Sequence, residues 1–415
     1  ARQLSTRLSP NGHPIPLIAE TGGQNAMIVD SSALAEQVVA DVLSSAFDSA
    51  GQRCSALRVL CLQEDVADRT LAMLHGALQE WTMGNPDRQS TDVGPVIDEQ
   101  AREQIEAHIK RMEDAGQKVT RVQRQDGQLH GHFVAPAIIE IDSTSRLTRE
   151  VFGPVLHVIR FQREQLDALI DGINATGYGL TFGVHSRIDE TIAHLSERVQ
   201  AGNLYVNRNV IGAVVGVQPF GGMGLSGTGP KAGGPLYLHR LAQGAPNTAL
   251  AALPRAEADQ AQQPTLQLLA RLQQTTLPGV DAALARAACD AALAASRQGA
   301  SWLLPGPTGE SNRYRLLPRG PVWALPRTPL GLVHQLAAAL ASGNPCHVVL
   351  PQGDQGCAAA WDAIAAALGA AGQDLLRRAD AASLQDASTP VTALLFEGDG
   401  DALLRQRGKA VPRRA

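Results

Sequence analysis

The sequence predicts an α/β fold built on a mostly parallel sheet with flanking helices, followed by a second, C-terminal α/β domain. Over residues 1–240, short apolar segments alternate with segments whose apolar residues recur at helical spacing. This alternation is typical of strands that are joined by helices and pair in parallel. After an Ala-, Gln- and Leu-rich region at 245–300, the alternation returns from Pro305 onward. The 415 residues are enough for two to four domains of roughly 100–200 residues each.

The first half of the chain supplies most of the predicted sheet. An apolar strand at 16–19 runs into a glycine pair, and a second strand follows at 26–29. Residues 33–47 place Leu34, Val38 and Val42 near helical spacing, which predicts an amphipathic helix. The same criteria predict strands at 57–62, 133–141, 155–161, 180–185 and 203–206, and helices at 64–81, 98–112, 162–174 and 188–199.

The second half begins with helices and ends in a smaller α/β pattern. An Ala-rich helix is predicted at 280–297, after a polar lead-in at 257–264. The later elements are strands at 321–325 and 346–350 and helices at 330–341 and 357–370. The last stretch, 403–415, is basic, and we expect a solvated terminus there rather than a nucleic-acid-binding tail.

The composition excludes several classes of protein. A balance of 36 Lys and Arg against 40 Asp and Glu gives a net charge of −4, which argues against a basic nucleic-acid-binding protein. Aromatic residues make up 4%, too few for a platform that stacks single-stranded nucleic acid. No apolar run approaches the roughly 20 residues of a membrane span. Five scattered cysteines favour a reducing, cytoplasmic location over a disulfide scaffold.

Four short segments combine reactive side chains with glycines that shape the backbone. They are Glu20-Thr-Gly-Gly23, Gly51-Gln-Arg-Cys-Ser55, Glu150-Val-Phe-Gly-Pro154 and the glycine-rich stretch 218–227. In the second segment, Cys54 follows a glycine-containing loop beside Arg53. A guanidinium and exposed backbone N–H groups both lower the pKa of a thiol, which would favour a nucleophilic thiolate. The alternative is that Cys54 is a small buried hydrophobic residue, as most free cysteines are.

The two glutamates also leave alternatives open. Glu20 ends an apolar run beside two glycines, so it is either a solvated loop residue or a partly buried general base with a raised pKa. Glu150 precedes a Gly-Pro turn and could serve only that turn. The remaining cysteines, which lie in apolar or Ala-rich segments, are interpreted as buried: Cys61, Cys289, Cys346 and Cys357.

Two further patterns are set aside. Residues 222–227 match the letters of the G-x-G-x-x-G dinucleotide fingerprint, but Pro219-Phe-Gly precedes them in place of a strand and Gly229-Pro230 follows in place of a helix. The histidines His132, His157 and His185 stand singly, without Cys or carboxylate partners at ligand spacing. We therefore predict no metal site.

Taken in this order, the four segments resemble the aldehyde dehydrogenase superfamily over about residues 1–240. In that family, the glutamate of a Glu-x-Gly-Gly motif is the general base, and the cysteine of a Gly-Gln-x-Cys motif is the nucleophile. Cys54 follows Glu20 by 34 residues, which fits that spacing. The resemblance implies that Glu150 binds the nicotinamide ribose of NAD and that Phe152 packs by the nicotinamide ring.

The segments 17–30, 47–58, 205–209 and 212–222 are most similar to family members that oxidise L-glutamate γ-semialdehyde, formed from 1-pyrroline-5-carboxylate, to L-glutamate in proline catabolism. This resemblance implies an NAD-dependent enzyme that is joined in one longer chain to an FAD-dependent proline dehydrogenase domain, the only place where FAD is expected. It also implies a homo-oligomer. The residues expected at the substrate are Phe47, Arg53, Ser55, Gly212, Ala213 and Phe220.

The resemblance divides the chain into a remnant of the NAD-binding domain at 1–20, the catalytic domain at 21–240, a linker at 241–265 and a Rossmann-like accessory domain at 266–415. Few residues precede Glu20, so we expect a fragment that binds NAD weakly or not at all when made alone. Two alternatives stay open. One is a catalytically incompetent piece whose second domain covers a path for the semialdehyde. The other is an aldehyde dehydrogenase of different specificity.

Overall fold

The computed structural model describes residue 4 and residues 7–122, 130–242, 263–386 and 391–410. The chain divides into two compact units. One unit is Ile18–Tyr237, and the other combines Ala1–Leu17 with Leu238–Ala415. The predicted linker at 241–265 lies mostly outside the described residues. The four predicted domain roles stay predictions.

The Ile18–Tyr237 unit is built on a seven-stranded sheet in the order β3-β4-β5-β2-β1-β7-β8. All neighbouring strands pair in parallel except β3 and β4, which are antiparallel. The strands are β1 (Ala26–Val29), β2 (Val59–Gln63), β3 (Lys118–Arg121), β4 (Ala137–Glu140), β5 (Val155–Phe161), β7 (Thr181–His185) and β8 (Asn203–Val206). A separate two-stranded ladder joins β6 (Tyr178–Gly179) to β9 (Met223–Gly224).

Helices cover this sheet on both faces. They are α1 (Ala35–Phe47), α2 (Glu64–Gln79), α3 (Glu99–Asp114), α4 (Leu166–Ala175) and α5 (Asp189–Arg198). A short helix, α6 (Tyr237–Leu241), begins at the last residue of this unit. Strand β1 is therefore buried on both of its faces: Ala26 and Ile28 pack into one hydrophobic cluster, and Met27 and Val29 pack into another. A strand buried on both faces needs a continuous apolar run, which is the pattern in the sequence.

Several elements of this unit differ from the sequence prediction, among them the short β6–β9 ladder, which was not predicted. Residues 16–19 form no strand, because Ala19 and Thr21 bond to Thr228 and Ser226 across an isolated antiparallel bridge instead of joining the sheet. The predicted strand at 133–141 shortens to β4, which begins after Pro136, a residue without a backbone donor. The edge strand β3, of charged and mixed residues, was not predicted.

The second unit contains a four-stranded, fully parallel sheet in the order β14-β13-β12-β15. Its strands are β12 (Val322–Leu325), β13 (Cys346–Val348), β14 (Leu376–Arg378) and β15 (Ala393–Phe396). A hairpin of β10 (Ser301–Leu304) and β11 (Asn312–Arg315) precedes them. The helices are α7 (Pro264–Gln274), α8 (Ala282–Ala295), α9 (Pro329–Ala341), α10 (Gln355–Leu375) and α11 (Gly400–Ala410).

The hairpin and the strands β14 and β15 were missed from the sequence, where their short polar-flanked segments carry little periodicity. Part of the predicted basic tail belongs to α11, and residues 411–415 lie outside the described residues. Across the part of the chain that the structure describes, no helix is long and apolar enough to cross a membrane.

Candidate active site

The loop before Cys54 makes an unusual turn. Ser49, Ala50 and Gly51 adopt positive φ values of 57°, 53° and 64° in succession, a conformation that costs non-glycine residues energy. A Cβ atom on Gly51 would collide with the carbonyl oxygen of Gly153. The glycine therefore allows the Cys54 loop to contact the turn that follows Glu150.

Two buried polar side chains hold the backbone on either side of the thiol. The Asn25 amide, just before β1, donates to the carbonyl oxygens of Cys54 at 2.7 Å and Ala56 at 2.8 Å. The Thr181 hydroxyl, at the start of β7, donates to the carbonyl of Ser55 at 3.1 Å. Neighbouring strands of the sheet thus position the loop, and sequence analysis assigned a role to neither residue.

Arg58 links the Cys54 loop to Glu150. Its side chain is 1% exposed, and its guanidinium donates to the carbonyls of Arg53 and Gly153 and to the Glu150 carboxylate, all at 3.1 Å. A guanidinium has the fixed fork of donors that such a three-way contact requires. Arg58 was not predicted as a site residue. Its basic side chain inside the apolar run 56–62 is the signal that could have identified it.

Glu150 and Phe152 lie next to this arginine. The second carboxylate oxygen of Glu150 accepts from the Gly23 N–H at 3.1 Å. Burial raises the pKa of Glu150, while Arg58 and the Gly23 N–H oppose that rise. The guanidinium carbon of Arg58 lies 5.3 Å from the centre of the Phe152 ring, which is 45% exposed. An exposed aromatic ring beside a held carboxylate suits a flat, polar ligand.

Glu20 is held by the glycine-rich stretch. Its backbone pairs with Gly227, and its carboxylate accepts from the Gly222 N–H at 2.9 Å. A Cβ atom on Gly227 would lie 2.6 Å from a Glu20 carboxylate oxygen, so the missing side chain leaves room for the carboxylate. Desolvation raises the pKa of Glu20, and the Gly222 N–H and Lys231 act in the opposite direction. Glu20 is nevertheless an exposed residue, so its role as a general base stays a prediction.

The Cys54 thiol is half-buried, and its electrostatics differ from the prediction. Burial raises its pKa, and the carboxylates of Glu150 and Glu20 raise it further, while the Ser55 N–H opposes this. The expected pKa-lowering effect of Arg53 is not found, because the Arg53 side chain is exposed and its Nε donates to Ser49. The thiol therefore remains protonated in the resting site, and the carboxylates of Glu20 and Glu150 contribute to its raised pKa.

The other predicted substrate residues lie in different environments. Phe47 is fully buried at the end of α1, with its ring 6.2 Å from that of Trp81, so it is a core residue and has no surface for a substrate. Ser55 is buried. Gly212, with φ of +85°, and Ala213 form an accessible loop. Phe220 exchanges two backbone hydrogen bonds with Ala232.

The structure also shows the surroundings of the glycine-rich match at 222–227 and of the single histidines, which were not assigned to a cofactor or a metal. Residues 222–227 contain half of the β6–β9 ladder and hold Glu20, with no strand–turn–helix arrangement. The His157 side chain is buried and lies 2.9 Å from His108, Nε2 to Nε2. His185 lies 3.4 Å from Asp41. The described residues contain no group of three or more potential metal ligands.

Comparison with known proteins identifies the family of the chain. The sequence profile described as "Aldehyde dehydrogenase family" matches residues 2–244. The chain is similar to the C-terminal part of the bifunctional protein PutA. It is 51% identical to that of Escherichia coli K12 over 411 residues, which are 97% of this chain and 30% of that protein. It is 37% identical to a 1-pyrroline-5-carboxylate dehydrogenase of Geobacillus kaustophilus over 224 residues, 54% of this chain and 43% of that enzyme.

Solved structures give the same result. A crystal structure of bifunctional proline utilization A aligns with a TM-score of 0.55 and 56% identity, covering 58% of this chain and 24% of that one. The chain thus spans about a quarter to a third of the PutA proteins that it matches. Since the family profile covers more than half of its residues, the chain belongs to the aldehyde dehydrogenase family.

Proposed function

We propose that the Ile18–Tyr237 unit supplies the nucleophile and the general base for the oxidation of L-glutamate γ-semialdehyde to L-glutamate with NAD, the second step of proline catabolism, and that the parent chain supplies the rest of the NAD-binding domain. The observation that supports this most strongly is that Arg58 links the Cys54 loop to Glu150: its guanidinium donates to the Arg53 carbonyl and to the Glu150 carboxylate, both at 3.1 Å. A thiol beside a carboxylate of raised pKa is suited to acyl chemistry through a covalent thioester. The names of the PutA and 1-pyrroline-5-carboxylate dehydrogenase relatives supply the substrate.

In this mechanism, the sulfur of Cys54 attacks the aldehyde carbon, and the thiol proton passes to solvent water as the carbon–sulfur bond forms. The Cys54 backbone N–H stabilises the oxyanion of the resulting thiohemiacetal. After oxidation to the thioester, Glu20 removes a proton from water. That water attacks the acyl carbon, the carbon–sulfur bond breaks, and the carboxylic acid product leaves while the thiol is restored.

Membership of the family implies use of NAD or NADP. The residues here fit such a cofactor, because the Glu150 carboxylate is held by Arg58 and Gly23 next to the exposed ring of Phe152. Glu150 would bind ribose hydroxyls, and Phe152 would pack against the nicotinamide. When bound, the cofactor supplies the two-electron oxidation of the thiohemiacetal. We propose NAD as the form used.

The α-carboxylate of the substrate needs a cationic side chain or several backbone N–H donors to bind it. Arg53 is exposed one residue before the nucleophile, and the accessible loop at Gly212 and Ala213 offers backbone N–H groups. We assign these residues and Ser55 to the substrate carboxylate, and Phe220 to the aliphatic part. An aldehyde dehydrogenase for uncharged aldehydes would not need Arg53, so this residue distinguishes the two specificities.

We expect Arg53→Ala to weaken recognition of the charged aldehyde selectively. Thiohemiacetal formation protects Cys54 from alkylation by iodoacetamide, so the protecting concentration reports aldehyde binding without a cofactor. The variant should need about tenfold more glutamate semialdehyde, since a hydrogen bond to a charged group contributes about 1.5–3 kcal/mol. Protection by pentanal, which lacks the charges, should not change.

The matched control is Arg69→Ala, which removes an exposed guanidinium from α2, where it pairs only loosely with Glu36 at 3.8 Å. It should leave protection by both aldehydes as in the unmodified chain. Equal losses for both aldehydes in Arg53→Ala would instead support the alternative of an aldehyde dehydrogenase with another specificity.

The experiment that tests the proposed chemistry uses p-nitrophenyl acetate and Glu20→Gln. The ester acylates Cys54 with release of p-nitrophenolate, and water then hydrolyses the acetyl thioester, so no cofactor is needed. Because Glu20 raises the pKa of Cys54, the variant should acylate at least as fast. Hydrolysis should slow by about 10²-fold or more, the usual contribution of a general base. A variant that hydrolyses the acyl thioester at the unmodified rate contradicts the assignment.

We propose that the parent chain also carries an FAD-dependent proline dehydrogenase domain, as the bifunctional relatives suggest, and that the protein forms homo-oligomers. The parallel sheet β14-β13-β12-β15, with its helices, supports a Rossmann-like accessory role for residues 266–415. In that role the unit covers a path for the semialdehyde. Deletion of residues 246–415 from the parent should then reduce the coupled flux from proline to glutamate.

A further inference from the structure

Lys231 is a half-buried cation close to the proposed general base. Its ammonium group donates to the carbonyl oxygen of Gly202 and, at 3.2 Å, to the side-chain oxygen of Asn203. Both acceptors are neutral, and the charge that acts on Lys231 is the Glu20 carboxylate. Desolvation lowers the pKa of Lys231 to about 8, and Glu20 opposes this. Neutral acceptors compensate a partly desolvated charge less well than a carboxylate does, so an ammonium at this place needs an explanation.

The hydrogen bonds of Lys231 and of Glu20 meet on consecutive residues of one loop. The Asn203 oxygen that accepts from Lys231 also accepts from the Gly221 N–H at 3.2 Å. The next N–H, that of Gly222, donates to Glu20 at 2.9 Å. A Cβ atom on Gly221 would lie 3.1 Å from both a Glu20 carboxylate oxygen and the Cα of Lys231. Glu20 and Lys231 therefore share one side of Gly221.

We propose that Lys231 is a positioning residue for thioester hydrolysis: it fixes the loop that binds Glu20 and keeps the Glu20 carboxylate ionised. This inference rests on the proposed function of Glu20 as general base. A base must be ionised to remove a proton from water, and desolvation works against ionisation at this position. A nearby ammonium favours the ionised carboxylate without touching the substrate.

The other charged groups at the site do not replace Lys231. Glu20 faces the Gly222 N–H, the Cys54 thiol and Lys231. The thiol is neutral in the resting site and becomes a neutral thioester after acylation. Glu150 faces Cys54 and is paired with Arg58. During hydrolysis, Lys231 is therefore the positive charge that acts on the Glu20 carboxylate.

The first test is the pH dependence of acetyl-thioester hydrolysis, followed after the chain has been acylated with p-nitrophenyl acetate. The rate should rise with pH as Glu20 ionises. Removal of the ammonium in Lys231→Met should move the midpoint of this rise upward by about one pH unit, because an opposite charge no longer favours the ionised form. Lys231→Arg, which keeps the charge, should restore most of the original midpoint. The control Lys110→Met removes an exposed lysine that pairs with Asp114 on α3 and should not shift it.

A second measurement tests the proposal without the Lys231→Met variant, and so it can be made even if that variant does not fold. The chain has only four lysines, so ¹³C-dimethylated Lys231 can be assigned by NMR from its absence in Lys231→Arg. Because coupling between two titrating groups is reciprocal, Glu20→Gln should lower the pKa of Lys231.

The outcomes separate this inference from the proposed function. If Glu20→Gln hydrolyses the thioester normally, the proposed function fails and the inference fails with it. If Glu20→Gln blocks hydrolysis but Lys231→Met keeps the original midpoint, only the inference is overturned. An unchanged Lys231 titration in Glu20→Gln also overturns it.

Discussion

Replacement of Cys54 by serine is expected to abolish acylation by p-nitrophenyl acetate, with a fall in p-nitrophenolate release of about 10³-fold or more. A serine hydroxyl is a far weaker nucleophile than a thiol at neutral pH, and none of the assigned contacts places a histidine base next to it. The backbone of the loop is held by Asn25, Thr181 and Arg58 rather than by the thiol. The variant should therefore retain its fold, which circular dichroism can verify.

The matched control is Cys61→Ala. Cys61 lies in β2 and is completely buried, and burial raises the pKa of its thiol to about 12. Loss of this thiol should leave the rate of p-nitrophenolate release unchanged in the folded protein. Release that continues at the original rate in Cys54→Ser would show that another group is the nucleophile.

The largest loss of stability is expected for Arg58→Met. The substitution leaves Glu150 partly buried without its cation and removes the donors to the carbonyls of Arg53 and Gly153. Removing one partner of a buried ion pair costs about 3–5 kcal/mol. Urea unfolding followed by tryptophan fluorescence should report this loss for the Ile18–Tyr237 unit when Trp302, Trp323 and Trp361 of the other unit are replaced by Phe, which leaves Trp81 as the reporter. Arg58→Lys, which keeps the charge but not the planar fork, should lose less.

The loss in Arg58→Met should also depend on pH. Without Arg58, the pKa of folded Glu150 rises further above the ordinary value of about 4.3. When folding raises the pKa of a carboxyl group, the group costs no stability at a pH where it is protonated in both the folded and the unfolded protein. It destabilises the folded protein as the pH rises through the pKa of the unfolded chain, because the unfolded chain then ionises first. The difference in unfolding free energy should therefore shrink below about pH 4. A difference that is constant with pH would mean that the lost backbone contacts account for the whole effect.

The sequence was sufficient to predict the helices and strands whose periodicity is strong. The apolar runs at 26–29, 155–161 and 203–206 appear as strands with the same bounds, because strands buried on one or both sheet faces leave a clear pattern. Residues 16–19 have an equally apolar composition, yet they pair with the 226–228 loop. Composition alone cannot reveal which partner satisfies a backbone hydrogen bond. Edge strand β3 was missed because it is half-exposed and mixed in polarity.

For the candidate site, the sequence prediction failed on the electrostatics of Cys54, while the roles of the reactive groups stay predictions. Cys61, Cys289, Cys346 and Cys357 are all buried, as predicted. The pKa of Cys54 is raised and not lowered, because the fold buries the thiol and because its carboxylate neighbours come from segments 34 residues upstream and 96 residues downstream. The adjacent Arg53 points to Ser49 instead. The cations that the fold brings to the site act on the carboxylates: Arg58 pairs with Glu150, and Lys231 acts on Glu20.

The most direct test of the account is to identify which residue carries the acyl group during turnover. The protein and its Glu20→Gln variant are mixed with p-nitrophenyl acetate, quenched in acid, digested and mapped by mass spectrometry. We predict an acetyl group on the peptide containing Cys54, transient in the unmodified chain and accumulating to about one equivalent in Glu20→Gln. An acetyl group on another residue, or equal decay in both proteins, would contradict the pairing of Cys54 with Glu20.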